Sequence, residues 1–350
     1  MRLRVLSREP RIPIVHYSDE RGSWATRGRD VLHQEEAAGA WRRIARFPRH
    51  SLLDGLVASR PACRALRLDR CNLQPTRSGA LLAIRGGTLY RVEHAAFVPL
   101  CRIQGDCVMN RAIAEAPDGS LYLGEYFSNG TRLPVRIWRV QPDLRDAEVV
   151  HVLDAPRVRH VHAIHPDPFH PPRLWFTTGD FRDECYLGYT DDGFESVELI
   201  GDGGQRYRAV GLLFESDHLS WLTDSHLEQN RVVAMERESG ALSLLGEVES
   251  STWYTVRTTD GVCLATTTVE PGPAIHTRSS RLLGSTDARR WSEVATFEKD
   301  AWPMPWFKFG SLSLPAGRYS SERFWLSGEG LRGLDGGSLL CALERTQEAA

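Results

Sequence analysis

Apolar and polar residues alternate along most of the chain in short runs, the period-two pattern of strands that bury one face. From about residue 67 onward one unit recurs. It consists of an apolar segment, a turn with Asp or Gly, a second apolar segment, a polar turn and two further strands. The first two segments of the clearest units cover residues 110–126, 160–180, 208–224, 254–269 and 307–329. The pattern predicts an all-β protein.

An acidic residue ends the second segment of each of these units. These acids lie 55, 44, 46 and 59 residues apart, at Glu125, Asp180, Asp224, Glu270 and Glu329. Strand-rich units of about 45 to 55 residues have the size of four-stranded propeller blades. The sequence therefore predicts a single β-propeller of four-stranded antiparallel blades. Six blades is the favoured count, and seven stays open.

The repeats define one domain over residues 1–350. Residues 67–345 are predicted to hold the repeated blades. Residues 50–66 are predicted to form a connecting segment with one short helix, because its leucines recur at helical spacing. The strands of residues 1–50 are expected to complete the last blade beside the C-terminal strand, so that the closed ring leaves no unpaired edge.

Composition narrows the classes of function and partner. The 43 Lys and Arg residues nearly balance the 45 Asp and Glu residues, so we expect neither nucleic acid nor an anionic membrane as a partner. No apolar run approaches the roughly 18 residues of a membrane span. The N-terminus has no apolar stretch like a secretion signal, and the seven cysteines include no C-x-x-C pair. These features predict a cytoplasmic protein.

Two turns resemble the Asp box, S-x-D-x-G-x-T-W, of sialidases and related BNR-repeat propellers. Residues 189–193 read Tyr-Thr-Asp-Asp-Gly, and residues 285–291 read Ser-Thr-Asp-Ala-Arg-Arg-Trp. The first has Tyr for Ser and lacks the Trp, and the second lacks the Gly and is one residue short. Residues 11–13, Arg-Ile-Pro, resemble the motif that supplies one arginine of the sialidase triad. The resemblance implies a propeller in which Asp192 and Asp287 belong to turns.

The resemblance also implies a nucleophile. Sialidases use a tyrosine activated by a glutamate, with an aspartate elsewhere as the general acid. Tyr254 and Glu270 start and end adjoining strands and are the matching pair here. Asp180 and Glu125 are the further candidate catalytic acids. The alternative is that Tyr254 is simply hydrogen-bonded at a strand end.

Charged and aromatic residues gather at the strand ends that should face one mouth of the central channel. The start of a first strand and the end of an antiparallel second strand lie at the same end of a blade. Second strands end in the acids given above, and Tyr126 follows the first of them. First strands begin near Arg111, His160, His162, Arg206, Arg208, Tyr254, Trp306 and Lys308. Charges that converge in a concavity are costly unless they are paired, liganded or used, so this mouth is the predicted site.

The segment from His160 to His165 carries the sharpest local motif. The period of two places His160 and His162 on one face of a strand. With Asp224 from the next blade, and Asp180 nearby, they are candidate ligands of a divalent metal such as Mn²⁺, Zn²⁺ or Ca²⁺. Alternatively His162 acts as a general base, or both histidines only fix the strand.

Several residues are candidates for binding a substrate. Arg206 and Arg208 alternate onto one face and, with Arg111, could clamp a carboxylate in the way acidic sugars require. The alternative is that each arginine neutralises an acid of the ring. Other candidate substrate contacts are Tyr126, Trp306 and Lys308, with Trp306 as a stacking surface for sugar rings.

These features favour a carbohydrate-active enzyme that acts on an acidic or polyhydroxylated sugar. It would be a sialidase-like glycoside hydrolase or a metal-assisted lyase. The alternative is a non-catalytic propeller that binds a glycan or a protein. Such a module does not need a dense ring of acids, histidines and arginines at one mouth.

Overall fold

Strands dominate the computed structural model, which describes residues 1–35, 39–154 and 158–344. Residues 345–350, which end the predicted domain, lie outside the described residues. The N-terminal strands are β1 (Arg2–Glu9), β2 (Ile14–Asp19), β3 (Gly22–Arg27), β4 (Asp30–Gln34) and β5 (Arg42–Arg46). Strands β2 to β5 pair in order as antiparallel neighbours.

Four antiparallel four-stranded sheets follow in the described part of residues 71–248. The first contains β6 (Cys71–Pro75), β7 (Leu81–Arg85), β8 (Thr88–Glu93) and β9 (Ala96–Arg102). The second contains β10 (Ala114–Glu115), β11 (Leu121–Gly124), β12 (Val135–Val140) and β13 (Ala147–Leu153). The third contains β14 (His160–Pro166), β15 (Leu174–Gly179), β16 (Cys185–Thr190) and β17 (Glu198–Gly203). The fourth contains β18 (Leu213–Phe214), β19 (His218–Leu222), β20 (Asn230–Glu236) and β21 (Leu242–Val248).

The C-terminal strands form two linked groups. The first group is β22 (Thr252–Arg257), β23 (Cys263–Val269), β24 (Ser279–Ser285) and β25 (Ser292–Glu298). The remaining strands are β26 (Gly310–Ser313), β27 (Ala316–Gly317), β28 (Phe324–Glu329) and β29 (Gly337–Glu344). Strands β26, β28, β29 and β1 pair in that order, β23 also pairs with β26, and β27 lies parallel to β2.

The role predicted for residues 1–50 needs correction. Only β1 completes the last group, pairing along β29 from Arg2 opposite Glu344 to Glu9 opposite Ser338. Strands β2 to β5 form a separate sheet with β27. Their apolar residues pack against β6 to β8 on one side and against β28 and β29 on the other. Over the described residues the strands form six sheets. If the eight-stranded sheet is divided where β23 pairs with β26, and β27 is set aside, these strands make seven groups of four.

The connecting segment contains a 3-10 helix, Leu52–Leu56, and helix α1 (Arg60–Leu66). Helix α1 packs against helix α2 (Met304–Phe307), and Arg64 Nε donates to the Phe307 carbonyl oxygen at 2.8 Å. A further 3-10 helix covers Gln205–Tyr207. Within the described ranges, no helix combines the length and the apolar character needed to cross a membrane.

Apolar side chains join neighbouring sheets face to face. Leu82 of β7, Leu123 of β11 and Ala163 of β14 belong to one buried cluster, and similar clusters join the later sheets. A Cβ atom added to Gly124 would lie 2.3 Å from Val161 Cβ, so only glycine allows this close approach of two sheets. This packing brings equivalent strand ends of different sheets to one side of the molecule.

Candidate functional site

A cavity of about 500 Å³ lies where second strands end and first strands begin. Its wall contains seven of the residues that the sequence predicts for the site: Tyr126, Asp180, Arg208, Asp224, Tyr254, Glu270 and Lys308. They come from five groups of strands. The fold therefore brings charged side chains that are far apart in the sequence into one enclosed space.

Arg208 is the central cation of the cavity wall. Its Nη2 atom lies 3.1 Å from Asp180 Oδ1 and 3.2 Å from Asp224 Oδ2. Its Nη1 atom donates to His226 Nδ1 at 2.8 Å. Although burial opposes it, the charges of Asp224 and Asp180 raise the pKa of Arg208. The guanidinium therefore stays charged and holds two carboxyl groups close together.

Asp224 and Glu270 are buried carboxyl groups near this guanidinium. Burial raises the pKa of Asp224 well above its ordinary value despite the charge of Arg208, and Glu270 raises it further. Burial also raises the pKa of Glu270, against the opposing charge of Arg208. Asp224 Oδ1 is buried without a hydrogen-bond partner among the described residues. Carboxyl groups whose pKa is raised hold a proton more readily and can donate it to a substrate.

Asp180 has the opposite electrostatic environment. Burial alone would raise its pKa, but the close contacts of His160 and His162 and the charge of Arg208 lower the pKa of Asp180 far below its usual range. Arg159 Nη1 adds a second guanidinium at 3.3 Å from Asp180 Oδ2. Because Asp180 remains ionised, it is a poor general acid or base, which corrects its predicted catalytic role.

In each of the two predicted histidines, His160 and His162, the Nε2 atom faces Asp180. His160 Nδ1 lies 3.0 Å from the Phe127 carbonyl oxygen, and His162 Nδ1 lies 2.9 Å from the Ala209 carbonyl oxygen. Their Nε2 atoms lie 3.4 and 3.2 Å from Asp180 Oδ1. His162 faces Asp180 and the Ala209 carbonyl oxygen and is not part of the cavity wall, so its position does not favour the predicted role as a general base. The acid beside this pair is Asp180 and not Asp224.

The predicted Tyr254–Glu270 nucleophile is not formed. No hydrogen bond joins the two among the described residues, and Glu270 Oε1 lies 3.5 Å from Thr268 Oγ1 instead. Burial raises the pKa of Tyr254, and neighbouring Tyr126 raises it further. A neutral, unactivated phenol is a weak nucleophile.

A second ion cluster forms another part of the cavity wall. Lys308 Nζ lies 3.0 Å from Glu329 Oε1 and 3.4 Å from Asp69 Oδ1. Arg60 contacts the same two acids, at 3.3 and 3.1 Å. Although burial opposes it, Lys308 and Arg60 lower the pKa of Asp69. The sequence predicted Lys308 as a site residue but not Arg60, which begins helix α1, or Asp69, which lies between that helix and β6. Neither shares the strand-end pattern.

Besides His160 and His162, four predicted site residues lie outside the cavity wall. Glu125 is fully buried and accepts from the Gln104 and Arg136 amides and from Trp138 Nε1. Arg111 donates to the Pro315 carbonyl oxygen, and Arg206 pairs with Asp202 at the surface. Trp306 is 73% exposed on helix α2. These assignments are corrected, because each side chain has another partner or points to solvent.

Two further titratable residues of the wall that the sequence did not predict lie close to Asp180 and Arg208. Arg159 precedes β14 directly and also approaches the ring of Phe181 at 4.9 Å. His226 lies two residues after Asp224 and accepts from Arg208, so its neutral tautomer carries the proton on Nε2. Their only signal in the sequence was proximity to predicted strand ends.

The two Asp-box-like turns have the expected local structure. Asp192 Oδ1 accepts from the Ser196 amide at 3.0 Å, and Asp287 Oδ1 accepts from the Arg290 amide at 2.8 Å. Gly193 has a positive φ of 70°. Arg11 of the Arg-Ile-Pro segment is exposed and is not in the cavity wall. The similarity to sialidases is thus limited to turns.

No protein-family model matches the chain, and no curated protein matches it. Solved structures do match. The extracellular domain of a hybrid two-component system from B. thetaiotaomicron has a TM-score of 0.56 at 10% identity, over 98% of this chain and 42% of that one. A GH74 xyloglucanase from Xanthomonas campestris has a TM-score of 0.54 at 12% identity, over 84% of this chain and 47% of that one.

These similarities support the β-propeller fold that the repeats predict. Nothing in them is specific to sialidases or BNR repeats. Identities this low carry no information about activity. The predicted cytoplasmic location is wrong by this comparison, because the structure that covers 98% of the chain is an extracellular domain. The unpaired cysteines were weak support, since a buried thiol is a small apolar side chain in any compartment.

Proposed function

We propose that this chain is a carbohydrate-active enzyme that hydrolyses a glycosidic bond of an acidic sugar in the cavity. The observation that carries the proposal is the pair of buried carboxyl groups, Asp224 and Glu270, beside one guanidinium. A carboxyl group with a raised pKa can protonate the leaving oxygen of a glycoside, while an ionised partner promotes the attack of water. Either Asp224 or Glu270 can hold the proton while the other is ionised, so the pair can supply both forms.

The charge of the cavity wall supports an acidic substrate. The wall has six basic residues, Arg60, Arg67, Arg70, Arg159, Arg208 and Lys308, against five acidic ones. Because burial raises the pKa of Asp224 and of Glu270, the positive charges outnumber the negative charges. Guanidinium groups bind carboxylates through two parallel hydrogen bonds, as an acidic sugar requires.

Aromatic residues of the wall support a sugar ring as the ligand. Tyr126, Trp253 and Tyr254 line the cavity beside the charged groups. These side chains present apolar faces next to hydrogen-bonding groups, which suits the alternation of C–H faces and hydroxyls on a sugar.

We also propose that the seven groups of strands are seven blades of a ring that β1 closes by pairing with β29. The buried contact between Val15 and Ala25 of the first sheet and Trp325 and Leu340 of the last supports closure. Deleting residues 1–9 would expose the edge of β29 and should cause aggregation and a lower Tm. A deletion variant that stays monomeric with an unchanged Tm would contradict closure.

The experiment compares purified wild type with Asp224→Asn and Glu270→Gln. A fluorogenic glycoside panel with uronate and sialoside members reports hydrolysis, and absorbance near 235 nm on oligouronides reports elimination. Loss of one member of an acid–base pair should lower kcat/KM about 100-fold or more. Arg206→Gln, a surface variant outside the cavity, is the matched control and should keep wild-type activity.

Each other outcome contradicts the proposal. Activity that survives in both carboxyl variants removes the acid–base role. An unsaturated product would replace hydrolysis with elimination. If no sugar reacts and wild type only binds one, the chain is a glycan-binding propeller.

A further inference from the structure

The ring nitrogens of His160 and His162 face acceptors on both sides. Each Nδ1 atom lies within 3.0 Å of a backbone carbonyl oxygen, to which it must donate. Each Nε2 atom points to Asp180 Oδ1. A neutral imidazole has only one N–H, so two lone pairs then face a carboxylate oxygen. This arrangement is repulsive unless a cation lies among the three atoms.

Full protonation of both rings does not resolve the repulsion well. The ring centroids of His160 and His162 are 4.9 Å apart, and Arg159 and Arg208 already contact Asp180. Two imidazolium ions would make four cations around one carboxylate.

The three atoms have the spacing of metal ligands. His160 Nε2, His162 Nε2 and Asp180 Oδ1 all lie within 4.8 Å of one another. The two nitrogen–oxygen separations of 3.4 and 3.2 Å match the edge of about 3.3 Å expected for tetrahedral Zn²⁺ with ligands at 2.0–2.1 Å. His160 is only 3% exposed, and its Nε2 has no hydrogen-bond partner among the described residues.

We propose that His160 Nε2, His162 Nε2 and Asp180 Oδ1 bind a first-row divalent metal ion beside the cavity. Two imidazoles and one carboxylate favour Zn²⁺ or Mn²⁺ over Ca²⁺, which prefers oxygen ligands. The carbonyl oxygens of Phe127 and Ala209 fix both rings with Nε2 toward the ion, as partners of metal-bound histidines commonly do.

A metal ion can reach these three ligand atoms from solvent and meets a negatively charged ligand there. Asp180 forms part of the cavity wall, so an ion can reach it from solvent. The ionised carboxylate of Asp180 itself supplies a negative charge to the ion. The inference goes beyond the proposed hydrolysis, because none of these ligands belongs to the acid–base pair.

The test measures metal binding directly. Wild type is stripped with EDTA, dialysed against Zn²⁺ or Mn²⁺ and analysed for bound metal, which should reach about one ion per chain. His160→Ala and His162→Ala should lower the affinity about 100-fold or more. His165→Ala is the matched control, because His165 lies on the same strand but bonds the Val210 carbonyl oxygen, and it should bind like wild type.

A second readout needs no variant to fold. Added Zn²⁺ or Mn²⁺ should raise the Tm of stripped wild type, because a ligand that binds only the folded state stabilises it. Wild type that binds neither ion, or a His165→Ala variant that loses binding as much as His160→Ala does, would overturn the proposal. Neither result depends on whether Asp224 and Glu270 catalyse hydrolysis.

Discussion

Arg208 Nη2 lies 3.2 Å from Asp224 Oδ2, and both side chains are almost fully buried. The same nitrogen lies 3.1 Å from Asp180 Oδ1. One guanidinium therefore offsets two carboxyl groups that would otherwise repel each other in a site with little water. Through these two contacts Arg208 links Asp180, which follows β15, to Asp224, which follows β19.

Replacing Arg208 should destabilise the fold. Removing one partner of a buried ion pair costs about 3–5 kcal/mol, because the other charge remains buried without compensation. We expect Arg208→Gln to lower the free energy of unfolding in urea by about 3 kcal/mol or more. Arg206→Gln, whose guanidinium is half exposed, should change it by less than about 1 kcal/mol. Equal effects of the two variants would contradict the central role of Arg208.

Asp224 should make the stability depend on pH in a particular direction. Its folded-state pKa lies above the ordinary value of 3.8, so the folded protein keeps a proton that the unfolded chain releases. Stability then falls as the pH rises from about 4 through the folded-state pKa. Asp224→Asn carries no titrating proton there and should flatten the curve of Tm against pH. Parallel curves for wild type and Asp224→Asn from pH 4 to 8 would show that the carboxyl group is not perturbed.

The sequence was sufficient to predict that charged residues meet at one mouth, because period-two strands with acidic ends repeat along the chain. It could not predict which way each side chain turns. Glu125 and Asp180 both follow second strands, yet Glu125 turns into its own sheet toward the Gln104 and Arg136 amides. Asp180 turns into the cavity toward Arg208. The difference depends on groups from other sheets, whose positions no local pattern contains.

The same limit applies to His162. Its ring orientation depends on the Ala209 carbonyl oxygen, which belongs to the next sheet and lies 47 residues away in the sequence. The period of two placed His160 and His162 together on one face but could not choose between Asp180 and Asp224 as their acidic neighbour. Only the packing of one sheet against the next settles that choice.

Glu125 should affect stability but not the cavity. Its carboxylate accepts from two backbone amides and from Trp138 Nε1 at 2.9 to 3.2 Å. Glu125→Ala leaves these donors buried without a partner, at about 1–3 kcal/mol each. We expect a clear loss of Tm with wild-type kcat/KM for any substrate or wild-type affinity for any bound sugar. A selective loss of activity at unchanged Tm would instead restore the catalytic role that the sequence suggested.

The position of Lys308 in the cavity wall should lower the stability of the folded protein, because its backbone is strained there. Its backbone has φ 64° and ψ 178°, a region that only glycine adopts without strain, and the cost is about 1–3 kcal/mol. The strained backbone holds the ammonium 3.0 Å from Glu329 Oε1. Lys308→Gly relieves the strain and removes the charge, whereas Lys308→Met removes only the charge. Both variants should weaken binding of an acidic sugar to the same extent, while Lys308→Gly unfolds at higher urea than Lys308→Met by about 1–2 kcal/mol. Equal stability of the two variants would mean that the backbone is not strained, and unchanged binding in both would remove Lys308 from the site.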